Sequence, residues 1–288
     1  MLPTDLPRDL LDVAAIAAEA AALVQAHAGR AERLTKRHQE AVTEVDRASQ
    51  RLIVERLRAR FPGDGIIGEE SDDGLAITCH TPDPDGRVWV IDPIDGTNNF
   101  VAGHGAYAIC IGLLHGGRPR LGVVSDITRG WCYAAAEGAG AWLDDGRSAR
   151  RITATTSPLG PSSLLMLTSN LLDAAGELPQ WAGRVLTIKP WKVRMLGSAA
   201  LEAVQVAAGC AHGAITLNGK LWDVAAAAAV VLEAGGTLTR LDGAPLFPYD
   251  LRGYAGGKTP FLAAGPAAHG ELLAELRDHR APLPVTRG

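Results

Sequence analysis

Apolar and polar positions divide the chain into two differently patterned halves. From Asp9 to Ala28 the apolar residues recur at helical spacing, and Gly29 ends the run. After the charged, irregular segment Arg30–Glu40 and then Ala41–Asp46, a second helix runs to about Arg60. Its apolar face is Ala48, Leu52, Ile53 and Leu57, and Phe61-Pro62-Gly63 stops it. A short apolar strand, Ile66-Ile67, and a longer one, Val88-Trp89-Val90-Ile91, follow. Between Tyr107 and Leu143 the pattern is strand and turn. The strands are Ala108–Leu114, Leu121–Ser125 and Trp131–Ala135, with one more after Gly138 and Gly140. Gly116-Gly117 marks a hairpin, so this region reads as an antiparallel sheet.

Thr153–Ser163, rich in Thr, Ser and Pro, marks a boundary. Beyond it, strands are expected at Leu164–Leu167, Val185–Ile188, Ala214–Leu217, Thr237–Leu241 and Phe261–Gly265. Helices opening at Met195–Ala200, at Leu221 and at His269 alternate with them, which is the pattern of an α/β layer. The expected organisation is an N-terminal α+β subdomain, residues 1–155, and a C-terminal α/β subdomain, residues 156–288. No internal repeat of about 20–50 residues is present.

Composition narrows the class. At 47% hydrophobic and 21% charged over 288 residues, the chain is an ordinary globular sequence. A net charge of −4 leaves no basic excess for nucleic acid or anionic membrane. No charge-free run of about 18 apolar residues reads as membrane-spanning. Asp5, Arg8, Asp9 and Asp12 do not fit a secretory signal. Cys79, Cys110, Cys132 and Cys210 are scattered without a Cys-x-x-Cys, and the histidines form no His-x-x-x-His pair. A cytoplasmic protein with reduced thiols and no zinc site is expected.

Three places deliver carboxylates to the ends of buried elements. The strand Val88–Ile91 runs into Asp92-Pro93-Ile94-Asp95-Gly96-Thr97. Pro93 pushes Asp92 toward extended backbone, so Asp92 is expected to end the strand and Asp95 to sit in a turn. Gly96 permits close backbone approach, and Thr97 is placed to N-cap a helical turn. Acids that converge in this way hold hard cations through oxygen, and the N–H groups of a helix start hold phosphate. Ile66-Ile67 likewise leads into Gly68-Glu69-Glu70-Ser71. Asp223 opens an Ala-rich helix so apolar that it must be buried, which leaves its acid needing a partner. Each acid also has a plain structural reading. Asp-Pro and Asp-Gly are common turn dipeptides, Thr43 and Asp46 fit a capping-box variant, and Asp223 suits a helix first turn.

Taken in order, Gly68-Glu69-Glu70, the block Trp89 to Phe100 and Leu221-Trp222-Asp223 resemble the inositol monophosphatase family of lithium-sensitive, magnesium-dependent phosphatases. The resemblance runs from about Lys36 to Leu241. It implies a layered αβαβα sandwich, of α/β (α+β) class, shared with fructose-1,6-bisphosphatase, and a homodimer. It also implies two or three Mg²⁺ ions. Glu69, Asp92 and the Ile94 carbonyl would hold the first, and Asp92, Asp95 and Asp223 the second. A third, weaker ion would use Glu69 and water. By the same resemblance, Asp46 and Thr97 orient the attacking water, Gly96 and Thr97 hold phosphate, and Gly197-Ser198-Ala199 lines the substrate pocket. Lys36 stands near a loop lysine of the family, although the loop here is one residue shorter. Inositol-specific members carry a glutamate seven residues before the last aspartate, where this chain has Thr216.

The implied chemistry is Mg²⁺-dependent hydrolysis of a small polyol or sugar-like phosphate, of the inositol-1-phosphate type. Histidinol phosphate, fructose 1,6-bisphosphate and 3′-phosphoadenosine 5′-phosphate are alternatives. Bisphosphates rank lower because no basic cluster stands out, save Lys192 and Arg194 ahead of the pocket segment. A non-catalytic metal- or phosphate-binding protein on the same scaffold is the alternative of another class. Such a reaction is extremely slow uncatalysed, and metal ions offset the charge of the ester. Like charges about 4 Å apart repel by roughly 4 kcal/mol at an effective dielectric of ~20, so bound metal is expected to stabilise the fold.

Overall fold

The computed structural model describes residues 1–28, 34–35, 41–42, 44–71, 78–80, 83–172 and 176–278. Lys36 and Thr43 lie outside these residues. The chain opens with α1 (Arg8–Ala26), the two-residue strands β1 (Leu34–Thr35) and β2 (Ala41–Val42), and α2 (Glu44–Arg60). Then come β3 (Gly65–Gly68), β4 (Thr78–His80), β5 (Arg87–Asp95) and the short α3 (Thr97–Ala102). A meander of β6 (Ala108–His115), β7 (Arg118–Asp126), β8 (Trp131–Ala136), β9 (Gly140–Asp144) and β10 (Ala149–Ile152) completes the first half. These strands form an eight-stranded sheet in the order β10-β9-β8-β7-β6-β5-β3-β4. It is antiparallel except for the parallel pairing of β3 with β5.

The second half runs β11 (Leu164–Leu167), α4 (Gln180–Thr187), β12 (Lys192–Arg194), α5 (Ala199–Ala207), β13 (Gly213–Thr216) and α6 (Leu221–Glu233). It ends with β14 (Thr237–Thr239), β15 (Phe261–Ala264) and α7 (Pro266–Arg277). Its sheet has the order β12-β11-β13-β15-β14. Val185–Ile188, expected as a strand, belongs largely to α4. Trp181, Ala182 and Val185 are buried at helical spacing, and tertiary packing of that face overrides the β-branched pair. No described helix is long and apolar enough to cross a membrane.

The layers follow from which face each element buries. Along β5, Trp89 and Ile91 join the cluster with α1 and α2, whereas Val88 and Val90 join the cluster with α5 and α6. Both faces are covered, which is why the strand is an uninterrupted apolar run rather than an alternating one. Helices α5 and α6 lie between the sheets, and α4 and α7 cover the far face of the second sheet through Trp181, Val185, Leu272 and Leu276. The result is the expected αβαβα stack.

One close approach sets the distance between α6 and the first sheet. Gly112 of β6 and Gly122 of β7 are paired across the strands, beneath the Ala-rich turn of α6. A Cβ on Gly112 would lie 2.7 Å from the Ala226 nitrogen, and one on Gly122 would lie 2.1 Å from the Ala226 oxygen. Two glycines facing a run of alanines let helix backbone rest on sheet backbone. This brings the start of α6, with Asp223, down toward the end of β5.

Candidate active site

The end of β5 differs from the sequence expectation. The strand continues through Pro93 to Asp95, and the pairing with β6 shifts register between Asp92 and Asp95. Pro93 has no N–H for the ladder, so the chain bulges there instead of stopping, and it resumes pairing opposite Ala108. The Ile94 N–H donates to Asp92 Oδ1 at 2.9 Å across the bulge. Gly96 follows with φ of +96°, and its missing Cβ would meet the Ala106 oxygen at 2.9 Å. Gly96 is therefore the N-cap of α3, and Thr97 is the first helical residue rather than the cap. This leaves the Thr97 hydroxyl free of capping duty. It lies 3.1 Å from Asp46 Oδ1 and 3.0 Å from the Ile94 carbonyl, two acceptors for one proton.

Helix α2 supplies the support behind these acids, with a buried polar stripe of Asp46, Ser49 and Gln50. Ser49 Oγ donates to the Pro93 carbonyl at 3.1 Å. The Gln50 amide makes a reciprocal pair with residue 70, donating to its carbonyl and accepting from its N–H at 2.8 Å. One helix face thus anchors the end of β5 and the turn that carries Glu69.

On the opposite side, Asp95 lies over the start of α5. Ser198 Oγ donates to Asp95 Oδ2 at 2.5 Å, and the N–H groups of Ala200 and Ala199 reach the same carboxylate at 2.8 and 3.3 Å. Ser198 also N-caps α5 through Leu201. Glu202, absent from the sequence reading, accepts the Leu196 and Gly197 N–H groups at 2.8 and 3.1 Å and so shapes the loop ahead of the helix. Asn99 ties that loop to α3, donating to the Leu196 and Ala106 carbonyls at 2.7 and 2.8 Å. Asn99 stood inside the central motif; nothing local marked Glu202. Asp223 does serve its helix, accepting the Lys220 N–H at 2.8 Å, as its capping reading expects.

The outcome is a dense acidic cluster. Asp92, Asp95 and Asp223 each offer an oxygen, and the three oxygens lie within 4.8 Å of one another. Asp92 and Asp95 are buried. Burial first, then the charges of Glu69, Asp95 and Asp223, push the Asp92 carboxyl well above the usual range. Burial and Asp223 raise Asp95 to about 7 against the hydrogen bonds from Ser198, Ala200 and Ala199. Glu202 is raised to about 8, chiefly by burial. Cys110, paired with Asp92 across the ladder, has its thiol pushed far up by burial and by the same carboxylates, so it is no thiolate nucleophile. Two buried acids and a half-buried third that cannot ionise together cheaply, all offering oxygen, fit a hard divalent cation.

The acids open onto a cleft of two adjoining cavities of about 220 and 250 Å³. Glu69, Gly96, Thr97 and Lys220 line the first, and Thr168, Ser169, Asn170, Glu202 and Thr216 line the second; Asn98, Gly197, Asn218 and Asp223 line both. Ser198 and Ala199 reach the second cavity as well. Asp46 stays buried behind Thr97. Lys192 and Arg194 sit exposed on β12, and neither lines the cleft.

Comparison with known proteins identifies the family. The model of the inositol monophosphatase family matches residues 7–281. The inositol-1-monophosphatase of Bacillus subtilis is 32% identical over 204 residues, covering 71% of this chain and 74% of that protein. A histidinol-phosphatase of Mycobacterium tuberculosis is 36% identical over 237 residues, covering 82% and 84%. Among solved structures, an IMPase of Thermotoga maritima superposes with a TM-score of 0.78 at 30% identity, covering 93% of this chain and 96% of that one. The chain therefore belongs to the inositol monophosphatase family, a family of phosphoric monoester hydrolases.

Proposed function

We propose that the protein hydrolyses the phosphate monoester of a small polyol or sugar-like alcohol, with Mg²⁺, by direct attack of water on phosphorus. The observation that carries this reading is the convergence of Asp92, Asp95 and Asp223 within 4.8 Å, at the floor of a cleft that Thr97 also lines. Glu69, Asp92 and the Ile94 carbonyl are assigned to a first ion, Asp92, Asp95 and Asp223 to a second, and Glu69 to a third. The ions, when bound, would neutralise the ester, activate water and stabilise the leaving alkoxide. An all-oxygen donor set favours Mg²⁺ over zinc or copper.

The chain's own groups do the positioning. If the Thr97 proton goes to buried Asp46, the lone pairs of its oxygen are left to accept from a water in the cleft. Gly96 and Thr97 at the start of α3 offer backbone N–H groups to phosphate oxygens. Gly197, Ser198, Ala199, Thr216 and Asp223 wall the leaving group. In the same proposal the enzyme is a cytoplasmic homodimer, sensitive to lithium. The histidinol-phosphatase relative keeps a second substrate class in view.

Phosphate release from inositol 1-phosphate, histidinol phosphate, fructose 1,6-bisphosphate and 3′-phosphoadenosine 5′-phosphate, with and without Mg²⁺, tests the proposal. Mg²⁺-dependent turnover that Asp92→Asn abolishes is the expected result. Bound Mg²⁺ without turnover of any ester would count for the non-catalytic reading.

A further inference from the structure

At the start of α6, one carboxylate serves two claimants. A helix leaves its first N–H groups without intrahelical acceptors, and an acid three residues past the cap is placed to accept them. Asp223 stands there, and its Oδ2 takes the Lys220 N–H at 2.8 Å. The same carboxylate belongs to the acidic cluster with Asp92 and Asp95. The next N–H along, that of fully buried Leu221, would add a further claim on it. That N–H donates instead to the Tyr254 hydroxyl at 2.9 Å, 33 residues along the chain.

Tyr254 is itself held in place. Its ring meets Trp222 edge-on with centroids 6.1 Å apart, and Tyr249 likewise at 5.8 Å. The Tyr249 N–H donates to the Gly117 carbonyl at 2.8 Å, in the turn between β6 and β7. A Cβ on Gly117 would lie 2.2 Å from the Tyr249 oxygen, so backbone rests on backbone there. Farther along, the Thr259 N–H donates to the Gly219 carbonyl at 2.6 Å, and Lys220 Nζ to the Gly256 carbonyl at 2.6 Å. Residues 254–259 thus form a strap over residues 219–221, with Tyr249 anchoring it to the first sheet. Burial pushes the Tyr254 hydroxyl up, so it stays neutral beside Asp223 and keeps its capacity to accept. Tyr254 lines neither cavity of the cleft, so whatever it does for the site passes through the helix start.

We infer that Tyr254 is a positioning residue for the metal site: its hydroxyl takes the Leu221 N–H, so that the Asp223 carboxylate is aimed at a cation rather than folded back onto its own helix. Without the hydroxyl, a buried N–H is left with no acceptor but a carboxylate of the cluster, and a buried donor does not stay unpaired cheaply. The inference rests on the phosphatase reading above. It assigns to that site a residue that touches neither metal nor ester.

The test is calorimetric titration of the full-length protein with Mg²⁺ in the absence of ester. Tyr254→Phe removes one oxygen and keeps both ring contacts. It is expected to raise the Kd for Mg²⁺ about tenfold and to shrink the rise in melting temperature that Mg²⁺ produces. In the assay with inositol 1-phosphate, the rate lost at low Mg²⁺ should return as Mg²⁺ is raised. Tyr249→Phe is the control, because its hydroxyl lies 3.1 Å from that of Thr259 within the strap and does not reach α6. It is expected to bind Mg²⁺ as the parent does, and melting curves check that both variants stay folded. A Kd in Tyr254→Phe within about twofold of the parent overturns the inference. An equal loss in Tyr249→Phe also overturns it, since the strap would then act by general rigidity and not through the Leu221 N–H. A parent that binds no Mg²⁺ overturns the metal assignment itself, and the inference with it.

Discussion

Replacing Gly122 with alanine tests what holds Asp223 over the end of β5. The added Cβ would lie 2.1 Å from the Ala226 oxygen and 2.8 Å from its carbonyl carbon. Favourable contact lies near 3.5 Å, so α6 must retreat by roughly 1 Å or the sheet must bend. Both neighbours are backbone in a fully buried layer, and no side chain can swing aside. Overpacking of this kind costs about 2 kcal/mol, equivalent to roughly 3–4 °C in melting temperature for a chain of this size. The catalytic effect should be larger than the stability effect, because the retreat carries Asp223 away from Asp92 and Asp95. A displacement of ~1 Å at a reacting centre costs on the order of 10²-fold in rate. The assay is a thermal melt together with the Mg²⁺ concentration that gives half-maximal phosphate release. Gly122→Ala should lower the first and raise the second. Gly270→Ala provides the contrast: it lies in α7 with open space around it, and should gain about 0.5–1 kcal/mol from helix propensity without touching activity. If Gly122→Ala melted with the parent and needed no more Mg²⁺, the packing argument would be wrong.

Other expectations follow from the acidic cluster. Asp92→Asn should abolish turnover yet raise the melting temperature of the metal-free protein by a few degrees, because it removes one charge from a buried, mutually repelling set; an unchanged or lower value would contradict the repulsion. Asp95 and Glu202 bind protons more tightly folded than unfolded, at about 7 and about 8. The folded state therefore holds more protons above the unfolded carboxylate range, so metal-free stability should fall as pH rises from about 4 to 8 and level off beyond. Denaturant titrations across that range check this, and stability rising with pH would refute it. At pH 8, Mg²⁺ at 100 times its Kd should return about 2.7 kcal/mol, read as an upward shift in melting. Thr97→Val should lower kcat by roughly 10²-fold or more while Thr97→Ser retains most of it, since the hydroxyl between Asp46 and the Ile94 carbonyl is what matters; equal loss in both would point to packing instead.

Much of the molecule was legible in one dimension. A strand buried on both faces must be continuously apolar, and a helix of alanine and valine must be sandwiched. Val88–Ile91 and Ala225–Ala229 therefore announce their depth, and acids at their ends announce a site. The antiparallel meander showed through its glycine turns. What local pattern could not decide was anything settled by a distant partner. Pro93 reads as a strand stop, but β6 offers Ala108 as a further rung, so the chain bulges and continues. Thr97 reads as a cap, but the +96° φ of Gly96 takes that place and turns the hydroxyl to Asp46. Val185 reads as strand, but its face packs as helix with Trp181.

The sequence by itself determined most of the elements, the three acid-bearing ends and the family, because each is written in a short run of neighbouring residues. Only the tertiary structure decided how close those ends come. The Gly112–Gly122 pair under α6, the polar stripe Asp46-Ser49-Gln50 behind β5 and the strap from Tyr254 to Thr259 are contacts between segments far apart in the chain. Their distances depend on packing volumes and hydrogen-bond partners on both sides, which no single stretch of sequence contains.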